Sequence, residues 1–255
     1  MGVETVNYAV YPCKVMRITQ NYKGKTSHYP HTVGTPKDYP IDEGCSDTGK
    51  EWFYCPCDEM KIRRIYGVGT GGTNTLWLES TGAVDFADGT SDILTVMVTH
   101  PDDADMKKLK VGDIFRRGEK VVREGKDGAT GNHLHISAGK GRMKGSGWML
   151  NSKSKWVLAT SAVTAKPEDI FYIDPDFTRV ISSASIKFKT LPEKYKTGYY
   201  KVDTAVLNLR YGPGTVYKKR GALIKGSKVR IIETKNNWGS TGKDQWLCLD
   251  YCRYM

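Results

Sequence analysis

Short runs of Val, Ile, Thr and Tyr, each broken within a few residues by Gly, Asn or Asp, fill most of the first 150 positions of this chain. Branched and aromatic side chains suit a pleated, half-buried surface, and the turn residues end each run before it can extend. Eight such runs read as strands: Val15–Thr19, Tyr39–Asp42, Lys61–Tyr66, Thr75–Glu79, Ile93–Thr99, Asp113–Phe115, Val121–Arg123 and His133–Ser137. No segment keeps the 3.6-residue apolar period of a long helix, and Met106–Leu109 makes one helical turn at most. The expected fold is mostly β, an antiparallel sheet domain followed by a small β-barrel.

At 255 residues the chain suits one large domain or two modest ones. The text changes at Asn151, becoming rich in Ser, Lys, Thr and Ala, and changes again near Tyr199, where short strands alternate with Gly turns. That divides the chain into residues 1–150, a connector over 151–195, and a second β unit over 196–255. Ile170, Phe171, Tyr172 and Phe177 give the connector some order of its own, since four such side chains resist full exposure.

Charge is uneven. The net charge is +11, and from Lys196 onward 12 Lys and Arg face 4 Asp and Glu, so the last unit alone carries +8. An anionic partner is implied, be it nucleic acid, a membrane surface or a wall polymer. No positively charged n-region precedes an apolar stretch, and no run nears the ~18 apolar residues of a membrane span. The expectation is a protein made in the cytoplasm without a signal peptide, and no membrane partner. Six cysteines, at 13, 45, 55, 57, 248 and 252, are too few for a disulfide scaffold of this size. Neither Cys55-Pro-Cys57 nor Cys248-x-x-x-Cys252 has the Cys-x-x-Cys spacing of structural zinc, so free or buried thiols are expected.

All five histidines fall in the first 135 residues, and the last two form Gly-Asn-His133-Leu-His135-Ile-Ser. On a strand, His133 and His135 project from one face about 7 Å apart, so one can hold a metal while the other reaches its water. A catalytic zinc needs further His and carboxylate ligands. "TSHYPHTVGTPKDYPIDEG" offers His28 or His31 and then Asp42 at the end of a strand-like run; Asp38, beside Lys37, suits a turn instead. His100 ends the apolar run "SDILTVMVTH", where a strand delivers a side chain to the edge of a site.

These residues resemble the lysostaphin/LytM-type zinc metallopeptidases, which cut peptide bonds in bacterial peptidoglycan. The resemblance covers about residues 15–139. Its most specific part is "LKVGDIFRRGEKVVREGKDGATGNHLHIS", with "YCPCDEMKIRRIYG", "TNTLWLES" and "VMVTH" in support. It implies His28, Asp42 and His135 as the ligands of Zn2+, and His100 and His133 as the catalytic histidines that move protons or hold the oxyanion. The family's first motif is His-x-x-x-Asp, whereas Asp42 lies much further from either candidate here, and His31 stays open as the first ligand. No His-Glu-x-x-His is present, so histidine fills the acid/base role.

"LNLRYGPGTVY", with the later Trp and closing Tyr strand, resembles the bacterial SH3-like domains of cell-wall enzymes. It implies binding of wall peptide, glycan or anionic wall polymers, with Leu207 and Leu209 facing a core. No nucleic-acid motif accompanies the charge. The combined expectation is a zinc metalloendopeptidase of peptidoglycan, of the kind a bacteriophage endolysin is, released to the wall by other means. The alternative is an inactive wall-binding scaffold or regulator. Oligomeric state is unread.

Overall fold

Alternation of apolar and polar residues along each strand gives the main sheet two different faces, and that division places everything else. The structure is a computed structural model and describes residues 6–23, 39–44, 50–68, 72–150, 156–235 and 237–255. His28, His31, Asp38 and Cys45 lie outside the described residues. The chain is mostly β. It divides into two compact units, one running to Leu191 and the other from Pro192 to Met255.

In the first unit the strands are β1 (Val15–Gln20), β2 (Ile41–Gly44), β3 (Trp52–Tyr54), β4 (Glu59–Tyr66), β5 (Thr75–Asp85), β6 (Ser91–Thr99), β7 (Ile114–Arg116) and β8 (Lys120–Arg123). They continue as β9 (His133–Lys140), β10 (Met143–Leu150), β11 (Trp156–Thr160), β12 (Val163–Thr164), β13 (Tyr172–Ile173), β14 (Arg179–Ser182) and β15 (Lys189–Thr190). Helix is confined to two short turns, α1 (Asp103–Met106) and α2 (Pro167–Ile170). The main sheet runs β14-β1-β2-β9-β6-β5-β4-β7, with β12 also on β9. Every pairing in it is antiparallel except β1 with β14.

One face of this sheet carries the core. Ile18, Ile41, Ile62, Leu76, Leu78, Val96, Val98, Leu134 and Ile136 bury there together. Their strand neighbours, among them Asp42, Thr75, Met97, Thr99, His133 and His135, alternate onto the opposite face. The β10–β11 hairpin covers part of that second face through a small cluster of Trp77, Met97 and Leu158. Buried Glu79 pins it, accepting hydrogen bonds from Arg142 Nη1 at 2.7 Å and from the Met143 amide at 2.9 Å.

Residues 156–191 supply strands and core to this first unit. Ile170 and Phe171 are fully buried, Phe171 lies edge-on to Tyr11 at 6.3 Å, and β14 pairs with β1. The Thr178 hydroxyl donates to the Cys13 carbonyl at 2.8 Å. Cys13, Cys55, Cys57, Cys248 and Cys252 are free and buried.

The second unit has β16 (Gly198–Val202), β17 (Val206–Arg210), β18 (Lys219–Ile224), β19 (Lys228–Ile231), β20 (Glu233–Lys235), β21 (Trp238–Gly242), β22 (Gln245–Cys248) and β23 (Cys252–Tyr254). They form two antiparallel sheets, β19-β16-β23 and β18-β17-β22-β21-β20. Tyr200, Val202, Leu207, Ile231, Trp238 and Leu247 make its core, with Leu209 packed against them.

Asp250 ties three segments of this unit together. It accepts from Lys194 Nζ and the Tyr195 hydroxyl, each at 2.6 Å, and from Asn237 Nδ2 at 2.5 Å. Burial pushes its carboxyl up, but the three donors outweigh that and hold it down at about 2. A carboxylate depressed below its unfolded value stabilises the fold above pH ~4 and loses that contribution as pH falls toward ~2. Asp250→Ala is expected to cost about 1–2 kcal/mol at pH 7, discounted for partial exposure. Thermal unfolding of both proteins between pH 7 and 2 should show the gap closing on acidification; a gap independent of pH contradicts this account.

Candidate active site

Strand β9 is paired on both sides over its first residues. Toward β2, Asp42 lies directly opposite His135 and Gly44 opposite His133. Toward β6, Thr99 lies opposite His135. This register, set by burying Leu134 and Ile136 on the far face, brings an acid and two imidazoles together from strands far apart in sequence. The Asp42 Oδ1 is 3.0 Å from His135 Nδ1 and 3.8 Å from His133 Nε2. On the far face of β2, fully buried Glu43 accepts from the Tyr11 hydroxyl and from the Arg17 amide, the latter at 2.6 Å, which fixes the strand that presents Asp42.

His100 follows β6 directly and has φ of +68°, a left-handed conformation that costs a non-glycine residue energy and is typical of functional turns. Surrounding bonds impose it. Its amide donates to the Asn74 carbonyl at 2.9 Å, and buried Asn74 donates from Nδ2 to the Pro101 carbonyl at 3.2 Å. The Asn74 amide in turn donates to Asp127 Oδ2 at 2.7 Å. Gly125 closes the turn: a Cβ there would lie 2.7 Å from the His100 carbonyl oxygen. The outcome is a His100 ring 4.6 Å from that of His133 and 6.3 Å from that of His135.

The two outer imidazoles are oriented alike. His100 Nδ1 lies 2.6 Å from the Asp127 carbonyl oxygen, and His133 Nδ1 lies 3.0 Å from that of Gly131. A carbonyl oxygen only accepts, so each Nδ1 carries the hydrogen and each neutral ring keeps its lone pair on Nε2. Burial pulls the His100 pKa down; the Asp127 carbonyl opposes this, and the neighbouring His133 and His135 reinforce it. Neutral His100 with a basic Nε2 is the form needed to take a proton.

The structure therefore gathers Asp42, His100, His133 and His135, while His28 and His31 lie outside the described residues. Among the described residues no group of three or more His, Cys, Asp or Glu is arranged to hold a metal ion. The Asp42–His135 pair nevertheless suits one. With its proton in place His135 Nδ1 donates to Asp42 Oδ1 across 3.0 Å; were a metal to take that proton's place, the two atoms would already be close to the ~3.3 Å edge of a tetrahedron with ~2.0 Å bonds. A nitrogen and a carboxylate oxygen are also ligands that zinc accepts.

The cluster sits in a cleft of about 470 Å³ whose floor includes Thr75, Met97 and Thr99. One wall is aromatic, made of Tyr66, Trp148 and Trp156. Sequence reasoning did not find this wall, nor the Asn74–Asp127 clamp. Both tryptophans follow the His-Leu-His run in an unremarkable Gly/Ser-rich stretch, and only the fold of the hairpin turns them toward the cleft. The second unit has its own cleft of about 710 Å³, with Asn208, Arg210, Trp238 and Tyr251 in its lining.

No family model matches the chain, and no curated protein matches it. Among solved structures it is similar to lysostaphin in solution, at 16% identity and a TM-score of 0.31, over 83% of this chain and 80% of that one. It is similar to lysostaphin of Staphylococcus simulans, described as an antimicrobial peptidase, at 15% identity and a TM-score of 0.31, over 96% of this chain and 86% of that one. It is also similar to a zinc-containing peptidase from Vibrio cholerae at 19% identity and a TM-score of 0.31, over 51% of this chain and only 35% of that one.

Two outcomes follow from the geometry of the cluster. In the metal-free protein the His100 ring should titrate below the ~6.5 of an unperturbed histidine, read by NMR of the imidazole nitrogens. Asn74→Ala leaves the Pro101 carbonyl without its donor, and should cost about 1–3 kcal/mol and shift the His100 resonances. Unchanged resonances would show that the clamp does not set the ring.

Proposed function

We propose that this chain is a zinc-dependent endopeptidase that hydrolyses peptide bonds of bacterial peptidoglycan. The observation that carries the reading is the convergence of Asp42, His100, His133 and His135 in one cleft, with Asp42 and His135 in direct register. The motif resemblance over residues 15–139 picked the same residues. Asp42 and His135 would hold the zinc together with His28, or His31 in its place. When bound, zinc supplies Lewis acidity toward a carbonyl and a lowered pKa for water.

The chain's own residues do the rest. His100 and His133, with rings 4.6 Å apart and Nε2 left as the free lone pair of each neutral imidazole, would take a proton from the attacking water and return it to the leaving amine. Their Nδ1 bonds to carbonyls keep that tautomer through the cycle. In the second unit, exposed Lys218, Lys219 and Arg220 and the cleft lined by Arg210, Trp238 and Tyr251 support a wall-binding role toward anionic polymers or peptide.

An inactive scaffold with the same fold is the competing reading, and metal separates them. Plasma emission on the purified protein is expected to give about one zinc per chain. Asp42→Ala and His135→Ala should lose metal and activity together. His100→Ala and His133→Ala should keep the metal while turnover drops by about 10²–10⁴. If His31→Ala abolishes zinc binding and His28→Ala does not, the first ligand is His31. Digestion of purified peptidoglycan with mass analysis of the fragments identifies the bond; an intact polymer with zinc bound rejects the reading. Ending the chain at Leu191 should leave a folded first unit with weaker retention on walls.

A further inference from the structure

The aromatic wall of the cleft has no part in holding a metal or moving a proton. We propose that it is a saccharide subsite, with Trp156 the platform on which one N-acetylated pyranose of the glycan strand stacks beside the histidine cluster. This deepens the peptidoglycan reading and rests on it.

Trp156 opens β11 and leaves 60% of its surface exposed at the cleft edge, though it is one of the largest apolar side chains in the molecule. It is backed by other rings. Its ring centroid lies 5.4 Å from that of Trp148, which packs edge-on to Trp77 at 4.8 Å and to Tyr66 at 4.9 Å. Trp77 is fully buried and donates from Nε1 to the Gly147 carbonyl at 3.0 Å. Gly147, with φ of +86°, lets the hairpin lie this close, since a Cβ there would be 2.6 Å from that nitrogen. A ladder of three indoles thus runs from the sheet to the cleft edge, and its outermost member faces solvent.

The chemistry around it selects the occupant. Arg64 already lies over the rings of Trp77 and Trp148, 5.2 Å from each centroid, and over Tyr66 at 5.7 Å. A second cation, such as the free amine of a diamino acid in a stem peptide, would be repelled there. A purely aliphatic side chain gains most from an enclosed pocket, whereas this plane is largely exposed and the cleft it edges is also lined by the half-buried Thr73 and Thr99. A pyranose matches both features. Its C–H face covers the indole, and its rim of hydroxyl and acetamido groups meets hydroxyl partners and water. A sugar seated on Trp156 places the scissile bond in the peptide near its attachment to the glycan, within the same 470 Å³ cleft as His133 and His135.

The probe is a β-1,4-linked N-acetylglucosamine tetrasaccharide, titrated into the full-length protein with calorimetry and tryptophan fluorescence as readouts. The wild type is expected to bind with a fluorescence change. Trp156→Ala should weaken binding about tenfold or more, and Trp156→Tyr should restore most of it. Equal binding by the wild type and Trp156→Ala, or none by the wild type, overturns the proposal. Hydrolysis of stem peptides with and without the attached sugar separates it from the enzymatic reading. If Trp156-dependent saccharide binding persists without peptide cleavage by the wild type, the peptidase reading fails and the subsite stands. If Trp156→Ala slows both substrates alike, the wall contacts peptide and the saccharide subsite is wrong.

Discussion

Two-sided pairing of one short strand is the constraint on which the rest depends. The first residues of β9 bond to β2 on one edge and to β6 on the other, and the register on both edges is fixed by Leu134 and Ile136 entering the core. A slip of one residue would send those side chains to the cleft and the histidines into the core. The energy of the apolar face thereby sets the geometry of the polar one. Burial excludes every slip by an odd number of residues and keeps Asp42 and His135, which lie opposite one another, on the cleft face.

The polar face is then completed by local devices with higher conformational cost. His100 sits in a left-handed turn that its own residue type disfavours, held by Asn74, Asp127 and the close approach of Gly125. The carbonyls of Asp127 and Gly131 dictate which nitrogen of each outer ring carries the hydrogen. Strain and desolvation converge on His100, and the paired sheet beneath supports both.

Much of this was legible in the chain itself. Strand-like runs at 15–19, 61–66, 93–99 and 121–123 match β1, β4, β6 and β8 within a residue or two, because period-two alternation is a local property. The helical turn falls slightly earlier, at Asp103–Met106, since Asp102 caps it by accepting from the amides of Ala104 and Asp105. Less legible were β3, β10 and β11. The first is three residues long and β10 carries two glycines and a serine, whereas β11, Trp-Val-Leu-Ala-Thr, has strand-forming residues but lies in a segment whose composition reads as a connector. Residues 151–195 read as a connector with some order of its own, and within it Ile170 and Phe171 bury in the first unit's core and β14 pairs with β1.

By itself, the sequence determined the β class, the candidate residues for binding metal or moving protons, and the basic excess after residue 196. These depend on residue identity, on spacing along one strand and on counting charge. Tertiary structure decided which of those residues meet. Asp42 and His135 are 93 positions apart and come within 3.0 Å only through strand pairing. The same holds for the aromatic wall: Tyr66 on β4 packs edge-on to Trp148 on β10, and Trp156 on β11 extends them to solvent. Such contacts are set by register and hairpin packing, which no local pattern encodes.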